Sequence, residues 1–169
     1  MRRLLVCVLV VAAAVGCRVS GRPLAEPKKA DPPKEQAEFK LTADEQSVFD
    51  ATNAERKKAK LDPLTADPKL TDAARAHAAN MAKQEKLAHT LDDKTVADRV
   101  KAAGYTFRRV GENIAWNQPT PKDAVAGWMD SDGHKANLLH TEYTHIGLAV
   151  VKNSKGEPYW VQVFGAPLK

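Results

Sequence analysis

"HIGLAVVKNSKGEPYWVQVFG" (His145 to Gly165) is the stretch on which the fold turns. Apolar residues alternate in "HIGLAVV", with Ile146, Leu148 and Val150 on one face and His145 on the other. They alternate again in "YWVQVFG". A period of two marks a strand with two distinct faces. Between the two runs, "NSKGE" places Gly156 where a tight turn calls for a residue without a Cβ. The segment therefore predicts an antiparallel hairpin.

Upstream, the period changes to that of helices. "TADE" (Thr42 to Glu45) is a capping box in which Thr42 caps and Glu45 reaches back. It predicts a helix to about Lys60, with Val48, Phe49 and Thr52 on the inner side and Glu55 and Arg56 as further candidates there. After two Asp-Pro turns in "LDPLTADPKL", Asp67 caps a second helix with Pro68 in its first position. This helix runs to about Lys86 and lines up Leu70, Ala74, His77 and Met81 on one stripe. "DKTVADRVKAAG" is a short third helix, with Val96, Val100 and Ala103 inward and Gly104 as its stop. "YTFRRVGENIAW" is not helical by pattern. "TPKDAVAGWMD" opens a fourth helix at Thr120, Pro121 and Asp123, with Val125, Trp128 and Met129 as its apolar face, and a short helical turn follows in "HKANLL". Helices followed by a closing hairpin predict an α+β domain with helices packed over a sheet.

The N-terminal "MRRLLVCVLVVAAAVGC" has two arginines, an apolar run and then small residues, the three-part layout of a bacterial export signal. The apolar run is too short for a spanning helix. "AVGC" (Ala14 to Cys17) resembles a lipobox that begins with Ala14 in place of the usual Leu, which implies a lipid on Cys17; an ordinary signal peptide cut near the same place is the alternative. Residues 18–40 are rich in Pro, Lys, Glu and Ala and too poor in large apolar groups to offset their ordering entropy. They are expected to be a disordered tether. The expected organisation is a leader over 1–16, a tether over 17–40 and one domain over 41–169.

The formal charge of +5 is concentrated in the first forty residues. From Leu41 onward, eighteen basic side chains face seventeen acidic ones, and no basic stripe with interleaved aromatics occurs, which argues against nucleic-acid binding. The only two cysteines are Cys7, in the leader, and Cys17, at its end, so the domain has no disulfide and must be held by its core.

Five histidines are candidates for chemistry: His77, His89, His134, His140 and His145. No two have the spacing of a one-helix zinc motif. His77, on the buried stripe, reads as a core histidine with one hydrogen-bond partner. His89, in "KLAHT", lies just past the second helix. Glu112 stands in "GEN" (Gly111 to Asn113), where the glycine permits close approach of the backbone. His134 directly follows Gly133. No G-x-S-x-G occurs, so a serine hydrolase is unsupported.

In order along the chain, "NAERKKAKLDPLTADPKL", "AARAHAANMA", "AHT", "VGENIAW", "AVAGWMDSDGHKANLL", "YTHIGLAV" and "YWVQVFG" resemble the CAP superfamily (the SCP domain of cysteine-rich secretory, antigen 5 and pathogenesis-related proteins), in its disulfide-free bacterial branch. The resemblance implies a three-layer α-β-α sandwich with a central antiparallel sheet. It implies a cleft in which His89 and His134 are the two family histidines and Glu112 is the first family acid. In some members the two histidines bind zinc. It implies that Gly133 ends a turn and lets His134 project toward His89 and Glu112. Where many eukaryotic relatives carry the second acid, this chain has Ser131, flanked by Asp130 and Asp132; Asp132 is the candidate substitute.

Three functions follow. The first is an exported, lipid-anchored binding or interaction module of the cell envelope, taking a small lipid, a peptide or another envelope ligand. The second is a metal-dependent hydrolase in which His89 and His134 hold zinc and Glu112 is the general base. The third is a structural envelope protein with a vestigial cleft.

Overall fold

The computed structural model describes residues 38–168. The expected leader, the lipidated Cys17 and the tether as far as residue 37 lie outside the described residues.

Five helices and four strands follow one another: α1 (Ala43–Lys58), β1 (Thr65–Ala66), α2 (Pro68–Gln84), α3 (Val96–Ala102), β2 (Phe107–Trp116), α4 (Pro121–Met129), α5 (Asp132–Leu138), β3 (His145–Lys152) and β4 (Pro158–Pro167). The start signals act as their chemistry dictates. Thr42 accepts from the Glu45 amide while Glu45 accepts from the Thr42 amide. Asp67 caps α2 ahead of Pro68, and Thr120 caps α4 ahead of Pro121. Gly104 and Gly156 carry the positive φ angles, +79° and +82°, that end α3 and turn the hairpin.

The strands lie in the order β1-β3-β4-β2. β3 and β4 form the hairpin, and β2 pairs antiparallel with β4, Glu112 opposite Val163. β1 pairs parallel with β3 through Thr65 and Ala66. By sequence these two residues read as part of a turn, because a pair of residues has no detectable period.

The layers follow from the alternation of β4. Tyr159, Val161 and Val163 enter one core with Leu70, Ala74 and Met81 of α2 and Val100 of α3. Trp160, Phe164 and Ala166 enter a second core with Val48 of α1, Trp128 of α4 and Leu138 of α5. The result is an α-β-α sandwich. The hairpin's second face is buried too, since β3 is interior and helices cover both sides. At Gly147 of β3, an added Cβ would fall on the backbone of Leu70 and Thr71, so this glycine sets how closely α2 approaches the sheet. In α1, Val48, Thr52 and Arg56 are buried, while Phe49 and Glu55 are only half-buried.

Two details of the expected α5 change. The helix begins at Asp132, two residues before the expected start. Gly133 then lies within its first turn, in open space and with no positive φ, and does not end a turn. A residue in ordinary helical geometry does not depend on glycine, so its reason for being there is not steric.

Candidate functional site

Glu112 is the centre of the site. It lies in β2, an edge strand, on the side facing α2 and α3, and its side chain is only 2% exposed. A buried carboxylate needs partners on both oxygens. Oε1 is 2.9 Å from His89 Nδ1, and Oε2 accepts from Arg99 Nη2 at 2.6 Å. His77 Nε2 is a third neighbour, 3.9 Å from Oε1.

His89 lies between α2 and α3, in a segment held from below. Arg99 Nη1 donates to the His89 carbonyl at 3.0 Å and to the Lys94 carbonyl at 2.8 Å. One guanidinium thus fixes both the backbone of His89 and the carboxylate that its ring meets. A carboxylate only accepts, so Nδ1 of His89 carries a proton toward Glu112, and whenever the ring is neutral the lone pair is on Nε2. The His89 side chain is 56% exposed, so that nitrogen is available to a ligand.

His134 approaches from the opposite layer, in the first turn of α5. Asn113, next to Glu112 but on the other face of β2, donates to the His134 carbonyl at 3.0 Å. Its amide also donates to Gln162 Oε1, and Gln162 donates to Thr52 in α1 at 2.7 Å. Asn137 of α5 donates to the Glu112 carbonyl at 3.2 Å and to Asn113 Oδ1 at 3.0 Å. At Gly111 the Tyr143 hydroxyl and Asn137 occupy the space a Cβ would need, which is the close approach expected of that glycine. Arg56, 1% exposed, donates to the carbonyls of Leu138 and His140 and so anchors the C-terminal end of α5. Burial holds the His134 pKa below the ordinary imidazole range, and the charge of His89 pushes in the same direction.

The remaining candidates separate from these. His77 is 1% exposed, and its Nε2 donates to the Ala88 carbonyl at 3.0 Å. Burial lowers its pKa, with Glu112 opposing, so the ring is neutral. It has the single partner expected of a core histidine. His145 is bonded to the Tyr105 hydroxyl at 2.8 Å, and Nδ1 of His140 accepts from the Glu142 amide. Asp132 is exposed at the first residue of α5. Among the described residues, no group of three or more His, Cys, Asp or Glu side chains has an arrangement that could hold a metal ion.

Arg99 is not among the expected site residues, although the sequence carries a hint of it. It falls three residues after Val96 and four before Ala103, on the inward stripe of α3. A cation on a buried stripe requires a buried partner.

A model of the cysteine-rich secretory protein family matches residues 49–164. The uncharacterized protein YkwD of Bacillus subtilis is 37% identical over 125 residues, which are 73% of this chain and 48% of that protein. The chain thus spans about half the length of that relative. An outer surface protein of Borrelia burgdorferi superposes with a TM-score of 0.72 at 24% identity, over 77% of this chain and 97% of its own. An extracellular SCP-domain protein of Bacillus anthracis str. Ames superposes with a TM-score of 0.67 at 28% identity, over 75% of this chain and 44% of its own.

Proposed function

The chain belongs to the cysteine-rich secretory protein (CAP) family, and from that membership we propose that it is an exported binding module of the bacterial envelope, tethered through lipid on Cys17. Its ligand is a small lipid, a peptide or another envelope component, captured at the His89–Glu112 pair with His134 as the further contact this reading assigns. The observation that carries this reading is the His89–Glu112 bond of 2.9 Å, backed by Arg99 at 2.6 Å. It presents an accessible ring nitrogen from a fixed tautomer, and a recognition group held in place before the ligand arrives costs less to order on binding. An extracellular relative and the export-type N-terminus support the location. Among the described residues, no helix is long and apolar enough to cross a membrane.

The test uses the full chain recovered from host membranes and stripped under denaturing conditions, with the extract analysed by mass spectrometry. A small molecule enriched with the wild type and lost from the His89→Ala/His134→Ala variant is the expected outcome. Identical extracts from both proteins would count against the cleft. Cys17→Ala should move the protein from the membrane fraction to the soluble one.

A second reading, weakly held zinc, is favoured by the carboxylate on Nδ1 of His89, since metal-bound imidazoles commonly hand their other N–H to such a group. The two-imidazole donor set fits an open site in which the ion polarises what it binds. Glu112 then serves as an orienting group, since Oε1 meets His89 Nδ1 and Oε2 accepts from Arg99.

A further inference from the structure

Three places in the chain put an aspartate or asparagine directly before a glycine or serine: Asp130–Ser131, Asp132–Gly133 and Asn153–Ser154. In such a pair the amide nitrogen of the second residue can attack the side-chain carbonyl carbon of the first, provided that the nitrogen is free and its own Cα is unhindered. The first and last pairs are closed to this reaction. The Ser131 amide donates to the Trp128 carbonyl at 3.3 Å. Asn153 is 9% exposed, its Nδ2 donates to Glu157, and its Oδ1 accepts from the amides of Lys155 and Glu157.

Asp132–Gly133 differs on each count. Both residues are exposed, and a Cβ on Gly133 would meet nothing within 4 Å. Among the described residues the Gly133 amide has no acceptor: it falls in the first turn of α5, where no intrahelical partner exists, and Ser131 supplies no side-chain cap. Ring closure needs this turn to unwind. The main-chain bond that spans the pair, from the Lys135 amide to the Ser131 carbonyl at 2.8 Å, lies at a helix end, where local opening costs least. The glycine that helical geometry does not require thus leaves the main-chain nitrogen bare.

We propose that Asp132–Gly133 is a modification site, at which Asp132 isomerises spontaneously to isoaspartate with water as the only co-reactant, and that the change loosens the wall carrying His134. The Gly133 nitrogen forms a bond to Cγ of the protonated Asp132 carboxyl. The carboxyl hydroxyl leaves with the amide proton as water, and a succinimide ring results. Water then adds back. Cleavage of the bond between nitrogen and Cγ restores aspartate. Cleavage of the bond between nitrogen and the main-chain carbonyl carbon gives isoaspartate, whose main chain runs through Cβ and Cγ and is longer by a carbon. The composition of the chain is unchanged. The extra carbon falls inside the turn closed by the Lys135–Ser131 bond, which cannot keep its geometry. His134, whose carbonyl Asn113 holds at 3.0 Å, follows directly. No ligand takes part, so the reaction is independent of what the cleft binds.

The test keeps the full chain for weeks at body temperature and mildly acidic pH, beside a free peptide of residues 128–136, and maps isoaspartate by electron-transfer fragmentation. Isoaspartate should accumulate at Asp132 of the folded chain at a rate of the same order as in the peptide. It should be lost in Asp132→Glu, which keeps the acid at the start of α5 but would have to close a larger ring. The isomerised chain should show faster amide exchange at Lys135. Isomer in the peptide with none in the chain would overturn the proposal, because the fold would then protect the pair. Equal conversion at Asp130 would show that a free amide is not what selects the site. Deamidation of Asn153 at a matching pace would assign the reaction to global unfolding instead. Unchanged exchange at Lys135 in the isomerised chain would remove the effect on α5.

Discussion

Nδ1 of His89 stands 2.9 Å from Oε1 of Glu112, and the two residues are 23 apart in the chain. The bond joins an exposed ring to a buried carboxylate, so disturbance of the buried partner should be felt at the exposed one.

Glu112→Gln tests that dependence. The amide keeps the shape but removes the charge opposite Arg99, whose side chain is 9% exposed. Leaving a buried guanidinium without its carboxylate should cost about 2–4 kcal/mol in urea unfolding. An unchanged urea midpoint would show that the ion pair contributes little.

Zinc should bind the wild-type full chain at about one equivalent, and weakly, since only two imidazoles serve it. His89→Ala with His134→Ala should abolish binding. Because His134 is held below the ordinary imidazole range, its share of the affinity should persist as the solution is acidified past the point where a free imidazole protonates. Full stoichiometry retained in the double variant would remove the metal reading.

Acid should destabilise the domain in two stages. His77 and His134 have folded pKa values lowered by burial, so the unfolded chain takes up their protons first. Stability is therefore complete above about pH 6.5 and falls as pH drops below it, by up to about 1.4 kcal/mol per pH unit for each group. Glu45, whose pKa is lowered by Arg75 and the Thr42 amide against the opposing effect of burial, adds a loss below the normal carboxylate range. His77→Gln should flatten the first stage; a slope unchanged in that variant would assign it to other groups. At the alkaline end, burial pushes Tyr105 up to about 12, so stability should decline as pH rises from about 10 toward that value.

Arg56→Lys should loosen the wall that carries His134. The guanidinium bonds the carbonyls of Asp62, Leu138 and His140 at 2.9 to 3.0 Å, and a single ammonium cannot span them. A loss of about 2–4 kcal/mol, with faster amide exchange in α5, is expected. Wild-type exchange rates in α5 would show that Arg56 does not position it.

Gly147→Ala should be among the most damaging small changes. Its methyl group would meet backbone atoms of Leu70 and Thr71, which cannot swing aside as a side chain does. Moving α2 off the sheet should cost about 3 kcal/mol or more, read as a fall in Tm. An unchanged Tm would mean that α2 yields to the added methyl without loss.

The elements were legible because their signals are local. A Thr-x-x-Glu cap, an Asp-Pro start, a glycine stop and a change of period from helix to strand each act within a few residues, and α1, α2, α3, α4 and the β3–β4 hairpin all form where these signals stand. The pairing of His89 with Glu112 was suggested only by likeness to a family, since nothing in their spacing brings them together. Tertiary structure alone decided that Arg99 clamps Glu112 and His89 and that Asn113 and Gln162 tie His134 to α1. The physical reason is that burial makes each polar group seek whichever partner packing brings within about 3 Å. That partner is chosen by the seating of helices on a sheet, a distance to which the periodicity of any one segment is blind.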